Sequence, residues 1–271
     1  MINQKNKLFE EIQIRIDNKT YQILYGDYLY FNKRSVNALI NDIIKQYNVD
    51  FQKKQIKKYQ DIQSILKTSK SAISDIDPLT SLILTLDLKE GNETLGKKIK
   101  PIKIHINYRY EQYFINLEQV LYKYNNNIGF AEIIRYLIIQ YTKLSRSERE
   151  AILYQENIDN IKQAIKQNNT TKIHLTSGEV IIFNPHEIIN PLDDEGNYIF
   201  GVEDQNAQAI ALHTIKHITI LDKKQNISSA SLEILKQLKN LKFNYQKLSQ
   251  FASKDIIQKV IQLQKRTTNL Q

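Results

Sequence analysis

Isoleucine alternates with polar residues near the start of the chain. The segment IQIRID, residues 12–17, places an isoleucine at every second position. Because side chains of a strand point to opposite faces in turn, this pattern predicts a β-strand with one buried and one polar face. Apolar residues then recur at helical spacing and predict two amphipathic helices, separated by a polar break at residues 32–35. Ser35 is a favourable N-cap for the second helix, whose apolar stripe is Val36, Leu39, Ile40, Ile43, Ile44 and Tyr47.

The same order of elements recurs later in the chain. The segment IKIHIN, residues 102–107, alternates as the first strand does, and residues 113–124 again have helical spacing. Three asparagines at 125–127 form the break. The following stripe matches the first one position for position, with Phe130, Ile133, Ile134, Leu137, Ile138 and Tyr141. The chain therefore contains an internal repeat of one strand and two helices.

The two copies resemble the ribbon-helix-helix family. The resemblance rests on KRSVNALINDIIKQY at 33–47 and, less faithfully, on NIGFAEIIRYLIIQY at 127–141. It implies that two strands pair antiparallel into a ribbon that enters the major groove of DNA. One strand with two helices cannot close a core or satisfy its own strand edge. We therefore predict that the strand around Ile14 pairs with the strand around Ile104 in a pseudo-dimer within one chain; the alternative is pairing between chains.

The resemblance also implies which residues contact nucleic acid. Arginine and lysine can donate to guanine, and glutamine and asparagine can bond adenine in both directions. A helix start can hold a phosphate through its free N–H groups. The candidates are Gln13, Arg15, Lys103, His105 and Asn107 as readers, with Ser35, Lys33 and Arg34 as a phosphate anchor. Asp17 shares the outward face and suits a phosphate poorly. The alternative interpretation is a solvated strand face without function.

A run of short strands is predicted after about residue 168. Helices are expected from a capping box at Ser145 and around residues 158–165. A hairpin that turns at Ser177-Gly178 follows. After it we predict a longer irregular excursion of the chain, which contains Pro185, Pro191 and Gly196. Further strands are predicted at 198–202, 207–212 and 218–221. Five short strands predict a small β-barrel of the SH3/Sm-like kind, so the fold class expected for the chain is α+β.

This part of the chain resembles the WYL domain family. The matching segments are FNPHEI at 183–188, GNYIFGV at 196–202 and IALHTIKHI at 210–218. The resemblance implies a module that senses a ligand or nucleic acid, with Tyr198 and His213 as candidate ligand-binding residues. The sequence departs from the family pattern at Asn197, Ile199, Ala211, His213 and Thr214, where the Trp, the Leu and charged residues are expected. The departures indicate a lost or altered ligand site.

Charge is distributed unevenly along the 271 residues. The formal net charge is +9, and by block it is +5 over 1–60, +2 over 61–167, −6 over 168–222 and +8 over 223–271. A basic balance favours a polyanionic partner. The chain has no cysteine, which excludes disulfides, thiolate metal sites and cysteine nucleophiles. With a polar start and no apolar run long enough for a membrane helix, we expect a soluble cytoplasmic protein with no membrane partner.

These patterns divide the chain into five predicted segments. They are the first ribbon-helix-helix copy at 1–50, a helical connector at 51–100, the second copy at 101–144, the WYL-like barrel with its leading helices at 145–222, and a basic helical tail at 223–271. The tail carries leucines at helical intervals. The resemblance implies a homodimerisation segment there, while its charge fits a nucleic-acid surface or a solvated lysine face equally well.

Three functions are compatible with this sequence. The first is a DNA-binding transcriptional regulator whose barrel senses a ligand. The second is an accessory protein of a CRISPR effector that binds single-stranded RNA. WYL proteins with a ribbon-helix-helix N-terminus resemble accessory proteins of this kind. The third is a purely structural assembly protein. No enzyme motif is present, so we expect no catalytic activity, no cofactor and no metal; the His213/His217 spacing and the acidic run at 193–195 do not complete a ligand set.

Overall fold

The computed structural model describes residues 9–68, 76–77, 79–80, 82–83, 86, 99–107, 130–192 and 196–237. The chain forms two compact units, Met1–Ser145 and Arg146–Gln271. Among the residues that the structure describes, no helix combines the length and the apolar character needed to cross a lipid bilayer.

Within the residues that the structure describes, unit 1 has two strands and three helices of 13 or more residues. Its elements are β1 (Phe9–Asp17), α1 (Asn18–Tyr30), α2 (Val36–Thr68), β2 (Ile99–Asn107) and α3 (Phe130–Thr142). Helix α2 continues without a break past residue 50, where the first predicted copy ends. The helix predicted over 113–124 lies outside the described residues, as do residues 69–75 and 87–98 of the predicted connector.

Local side-chain caps fix the two helix starts of the first copy. Asp17 accepts hydrogen bonds from the Thr20 N–H at 2.7 Å and the Thr20 hydroxyl at 2.9 Å, so its carboxylate caps α1. Ser35 accepts from the Ala38 N–H at 3.1 Å and caps α2, as predicted. Between the helices, Asn32 adopts a positive φ of 49°. The polar break is therefore a turn that separates the two helices.

Strands β1 and β2 pair antiparallel in the same chain, which confirms the predicted intrachain pairing. Gln13 and Lys103, which are equivalent positions of the two repeats, lie opposite each other. The flanking pairs are Ile12 with Ile104 and Ile14 with Ile102. In the repeat, Ile12 is equivalent to Ile102 and Ile14 is equivalent to Ile104. A pseudo-two-fold axis through the central pair therefore relates the two flanking pairs.

The apolar sides of the ribbon and helices form the core of unit 1. On the ribbon, Ile14, Ile16 and Ile104 are at most 2% exposed. The two predicted stripes are buried in the same way, and the fully or almost fully buried members are Leu39, Ile40, Ile43, Ile44, Tyr47, Ile133, Ile134, Leu137, Ile138 and Tyr141. The rings of Tyr47 and Tyr141, again equivalent positions, meet edge to face with centroids 6.3 Å apart.

Unit 2 is a helical pair followed by an antiparallel sheet. Its elements are α4 (Arg146–Leu153), α5 (Gln155–Gln167), β3 (Asn169–Leu175), β4 (Val180–Leu192), β5 (Gly196–Glu203), β6 (Asn206–Ala211) and β7 (Ile215–Lys224). Strand β6 connects to β7 through a short 3₁₀ turn, Leu212–Thr214. The strand order is β6-β5-β4-β3-β7, and every pairing is antiparallel.

The predicted barrel is wrong, because the five-stranded sheet does not close. Strands β6 and β7 remain at opposite ends of the strand order. Helix α5 packs against β3, β4 and β7 and contributes Ile158 and Ile161 to the core that these strands share. A helix that covers the apolar side of a sheet buries the same surface that strand closure would bury. The count of strands was therefore predictable, whereas closure was not.

The excursion predicted around Pro185 and Pro191 is also wrong, since both prolines lie within β4. Up to Phe183 the strand pairs with β3, and from Asn184 onward it pairs with β5. The register shifts between Pro185 and Glu187, where a residue without an N–H is tolerated. Opposite this point, a Cβ at Gly201 would overlap the Asn184 carbonyl oxygen and the Phe183 ring, so the close crossing of β4 and β5 requires glycine.

The start of the predicted tail is helical over residues 229–237. Leu235 is 3% exposed and joins Ile189, Phe200 and Val202 in a second apolar cluster of unit 2, against which Leu232 also packs. These two leucines are therefore covered within the unit. The leucines from Leu238 onward lie outside the described residues, and the predicted dimerisation stays a prediction.

Candidate nucleic-acid interface

The outward face of the β1–β2 ribbon is polar and exposed. Gln13 and Arg15 of β1 and Lys103 and His105 of β2 are all exposed, while the isoleucines between them are buried or half-buried. The structure thus brings four of the predicted reader residues onto one face. The side chain of Asn107 lies outside what the structure describes. Asp17, in contrast, is used as the cap of α1 and is not available as a reader.

A glutamate that sequence reasoning missed also lies on this face. Glu11 accepts from the Lys103 ammonium at 2.9 Å, and the His105 Nε2 lies 3.9 Å from its other oxygen. The hydrogen bond and charge of Lys103 lower the pKa of the Glu11 carboxyl, and His105 lowers it further. The face is therefore a mixed charged surface, and any anion that binds Lys103 competes with Glu11. Arg15 is exposed, and the described part of the chain gives it no carboxylate partner.

Two asparagines of α2, Asn37 and Asn41, attach the helix start to the edge of the ribbon, and we call this contact the asparagine clamp. The His105 carbonyl oxygen accepts from the Asn41 Nδ2 at 2.9 Å and the Asn37 Nδ2 at 3.3 Å, and the His105 N–H donates to the Asn37 Oδ1 at 2.9 Å. These bonds satisfy backbone groups that a two-stranded ribbon leaves unpaired at its edge. Helix α2 consequently begins beside the exposed face at His105.

The predicted phosphate anchor lies at this helix start but differs in detail from the prediction. Lys33 forms a 2.9 Å ion pair with Asp42, and its side chain is only 20% exposed. Ser35 uses its hydroxyl to accept from Ala38. Arg34 is exposed in the turn that precedes the helix. Of the three predicted residues, Arg34 is thus the one positioned as an open cation, while Lys33 is already paired.

The equivalent region of the second copy has different chemistry. The positions that match Asn37 and Asn41 in the repeat are Ala131 and Arg135. Alanine has no side-chain group that could form a hydrogen bond to the backbone at a strand edge. Burial lowers the pKa of the Arg135 guanidinium, and the negative charge of Glu132 offsets part of this effect. The asparagine clamp is therefore a feature of the first copy.

The two residues predicted to bind a ligand in unit 2 contact different neighbours. Tyr198 packs against the cluster of Ile189, Phe200, Val202 and Leu235. The His213 ring places its Nδ1 3.2 Å from the Glu150 Oε1. Tyr198 thus belongs to the packing of the sheet, whereas His213 belongs to a polar cluster that sequence reasoning missed.

That polar cluster is centred on Glu150, which is completely buried. One carboxylate oxygen accepts from the backbone N–H and the Nδ2 of Asn197, and the other accepts from the His213 N–H at 3.0 Å. The Asn197 Nδ2 also donates to the Ser147 carbonyl oxygen at 2.8 Å. A buried carboxylate that accepts several N–H donors ties α4 to β5 and to the turn after β6. Asn197 occupies the position where the WYL resemblance expects tryptophan.

The missed residues differ in how visible they were in the sequence. Glu11 continues the alternation of Gln13 and Arg15 one step toward the N-terminus, so extending the strand would have found it. Asn37 and Asn41 have i, i+4 spacing at a helix start, which places them on one side of the helix. The contacts of Glu150 to residues more than forty positions away left no local signal.

Comparisons with known proteins give a likeness of fold. No family profile matches the chain, and no curated protein matches it in sequence. A chain from a crystal structure described as that of a CRISPR Cas-related protein superimposes with a TM-score of 0.63 over 88% of this chain and 73% of that one. The two sequences are 15% identical. The likeness therefore establishes a shared fold.

Proposed function

We propose that this protein is a nucleic-acid-binding regulator, associated with a CRISPR system, that contacts duplex DNA through the outward face of its β1–β2 ribbon. The observation that carries the proposal is the pseudo-symmetric ribbon, which is apolar beneath and bears Gln13, Arg15, Lys103 and His105 above. The major groove, about 12 Å wide, admits a two-stranded ribbon of this kind. From this geometry we infer that the two copies are related as ribbon-helix-helix units.

The helix start at Ser35 supports the same orientation. The asparagine clamp holds α2 beside the ribbon face, and Arg34 projects from the preceding turn. A cation and a helix N-terminus beside a base-reading face can contact the phosphate backbone. The WYL-like unit 2 would then serve as the sensor, and no catalytic step is part of the proposal.

A second candidate function is that of an accessory protein that binds single-stranded RNA and modulates a CRISPR effector. It is favoured by the fold that the chain shares with the CRISPR Cas-related protein. In this case the ribbon would act as a scaffold, and the RNA would be bound elsewhere. Both candidates place the protein in the cytoplasm.

A comparison of affinities separates the two candidates. The full chain is titrated in turn against labelled duplex from its own promoter region, labelled random duplex and labelled single-stranded RNA, at fixed, near-physiological salt. We expect the promoter duplex to be preferred. Preference for single-stranded RNA would replace the regulator with the accessory function.

The double substitution Arg15→Ala and Lys103→Ala tests whether the ribbon reads bases. It should weaken binding to the preferred duplex by about 1–3 kcal/mol for each lost base contact, and weaken random-duplex binding much less. Lys53→Ala with Lys57→Ala is the matched control, because it removes the same charge from exposed positions of α2. Equal losses for all duplexes would show that the ribbon supplies charge and does not read sequence.

A further inference from the structure

The sheet of unit 2 has an open face made of six residues on three neighbouring strands. We call it the outer sheet face. It consists of Lys172 and His174 on β3, Val180 and Ile182 on β4, and His217 and Thr219 on β7. The register aligns them in two rows across the strands, Ile182–Lys172–Thr219 and Val180–His174–His217. Between the rows, Ile173, Ile181 and Ile218 point to the opposite side and are buried in the core.

Apolar side chains are exposed at one edge of this face. Val180 is 46% and Ile182 is 44% exposed. Both are large β-branched residues at alternate positions of one strand, so they project side by side. Together they offer an exposed apolar surface against which a flat ring can pack.

Two histidine rings lie beside the apolar pair. The His174 and His217 rings are 6.1 Å apart between centroids, with planes tilted by 41°. The His217 Nε2 lies 3.3 Å from the Thr219 hydroxyl, which orients the imidazole. Flat rings next to apolar groups and a cation are the chemistry that recognises unstacked bases and their backbone.

The charge of the face contrasts with that of its surroundings. Residues 168–222 contain eight Asp or Glu and two Lys or Arg. Lys172 is one of the two cations, and none of the eight acidic residues belongs to the outer sheet face, although Glu179 stands at the neighbouring turn. A segment that is acidic overall thus keeps this face free of carboxylates, which suits a polyanion. Self-association through the face would place lysine and histidine near their own copies.

We propose that the outer sheet face binds single-stranded nucleic acid, with bases stacking on His174 and His217 and packing on Val180 and Ile182, while Lys172 contacts a backbone phosphate. This site is separate in its residues from the ribbon. The inference therefore stands whether the ribbon reads duplex DNA or not.

The test uses the full chain and labelled single-stranded oligonucleotides of about 12 uridines or thymidines, a length within the range that small sheet modules bind. Fluorescence anisotropy at near-physiological salt gives the affinity. His174→Ala with His217→Ala should weaken binding about tenfold or more, which is the expected loss for removed stacking partners. His174→Phe with His217→Phe should keep the affinity within about twofold, because phenylalanine preserves the stacking face. Thermal unfolding confirms that each variant folds.

A charge test complements the stacking test. Lys172→Ala should reduce the slope of log affinity against log salt by about 0.7, the value for one phosphate contact on a single strand. Lys162→Ala, an exposed lysine on α5, is the matched control and should leave the slope unchanged. Arg15→Ala with Lys103→Ala tests the ribbon separately and should spare single-strand binding.

Three results would overturn the inference. The first is no detectable binding of single strands by the unaltered protein. The second is unchanged affinity in the double alanine variant. The third is an Ile182→Glu variant that abolishes self-association, measured by sedimentation, yet binds single strands as the unaltered protein does, which would assign the face to contacts between copies of the chain.

Discussion

Glu11 is the residue whose ionisation is most directly linked to the ribbon face. Its carboxylate holds Lys103, and its pKa is lowered chiefly by that lysine from the ordinary value of 4.5. We expect Lys103→Ala to raise the pKa of Glu11 toward that value, measured by an NMR titration of the side-chain carboxyl. Lys53→Ala is the control and should not shift it. An unchanged pKa in the Lys103 variant would contradict the pairing.

The sign of the linked stability follows from the direction of the shift. A carboxyl whose pKa is lower in the folded state stabilises the fold above its unfolded pKa. The contribution of the Glu11–Lys103 pair is therefore present at neutral pH and is lost as the pH falls below about 4.5, through the lowered folded value. Because both side chains are exposed, solvent screens the pair and its contribution is small.

The asparagine clamp is the element-scale contact that joins α2 to the ribbon. Asn37→Ala removes the acceptor for the His105 N–H and one donor to its carbonyl. We expect a loss of about 1 kcal/mol in unfolding free energy, the usual net worth of such hydrogen bonds, and faster hydrogen exchange at the His105 amide. Gln46→Ala, at an exposed position of the same helix, is the control. Unaltered exchange at His105 would show that the clamp is dispensable.

Buried Glu150 gives a second prediction at the scale of elements. Glu150→Gln replaces one acceptor oxygen with an amide donor, which then faces either the N–H groups of Asn197 or the N–H of His213. Leaving buried donors unmet costs about 1–3 kcal/mol each, so unit 2 should unfold at a lower urea concentration. Glu156→Gln, exposed on α5, should have no such effect. Hydrogen exchange that stays slow at the Asn197 and His213 amides would contradict this role.

The same contacts show how far the sequence alone predicts this molecule. Alternating and helical stripes are local, so they identified the β1–β2 ribbon, the cap at Ser35 and the five strands of unit 2. Sheet closure and the path of β4 through Pro185 depend on how α5 and β5 pack, which periodicity does not encode. For the candidate interface, residue types and faces were predictable, but the pairing of Lys103 with Glu11 and of Lys33 with Asp42 required the structure.

At the scale of the whole molecule, the ribbon combines a symmetric backbone with asymmetric side chains. Gln13 lies opposite its equivalent Lys103, and among the outward side chains that the structure describes the other equivalent pairs are Glu11 with Pro101 and Arg15 with His105. In a true homodimer of identical readers, a two-fold axis imposes a palindromic target. Here every equivalent position presents different hydrogen-bonding groups, so no palindrome can satisfy both halves.

We therefore expect one chain to bind a non-palindromic duplex site. Selection from a random duplex library should enrich a single asymmetric sequence, and the mass of the complex should correspond to one chain for each site. Inverting one half of the selected site should weaken binding by about 1–3 kcal/mol for each mismatched base pair. Arg15→Ala should relax preference on one side of the site only, with Lys53→Ala as the control. A palindromic consensus occupied by two chains would instead mean that two ribbons act together and that the pseudo-dimer is not the unit of recognition.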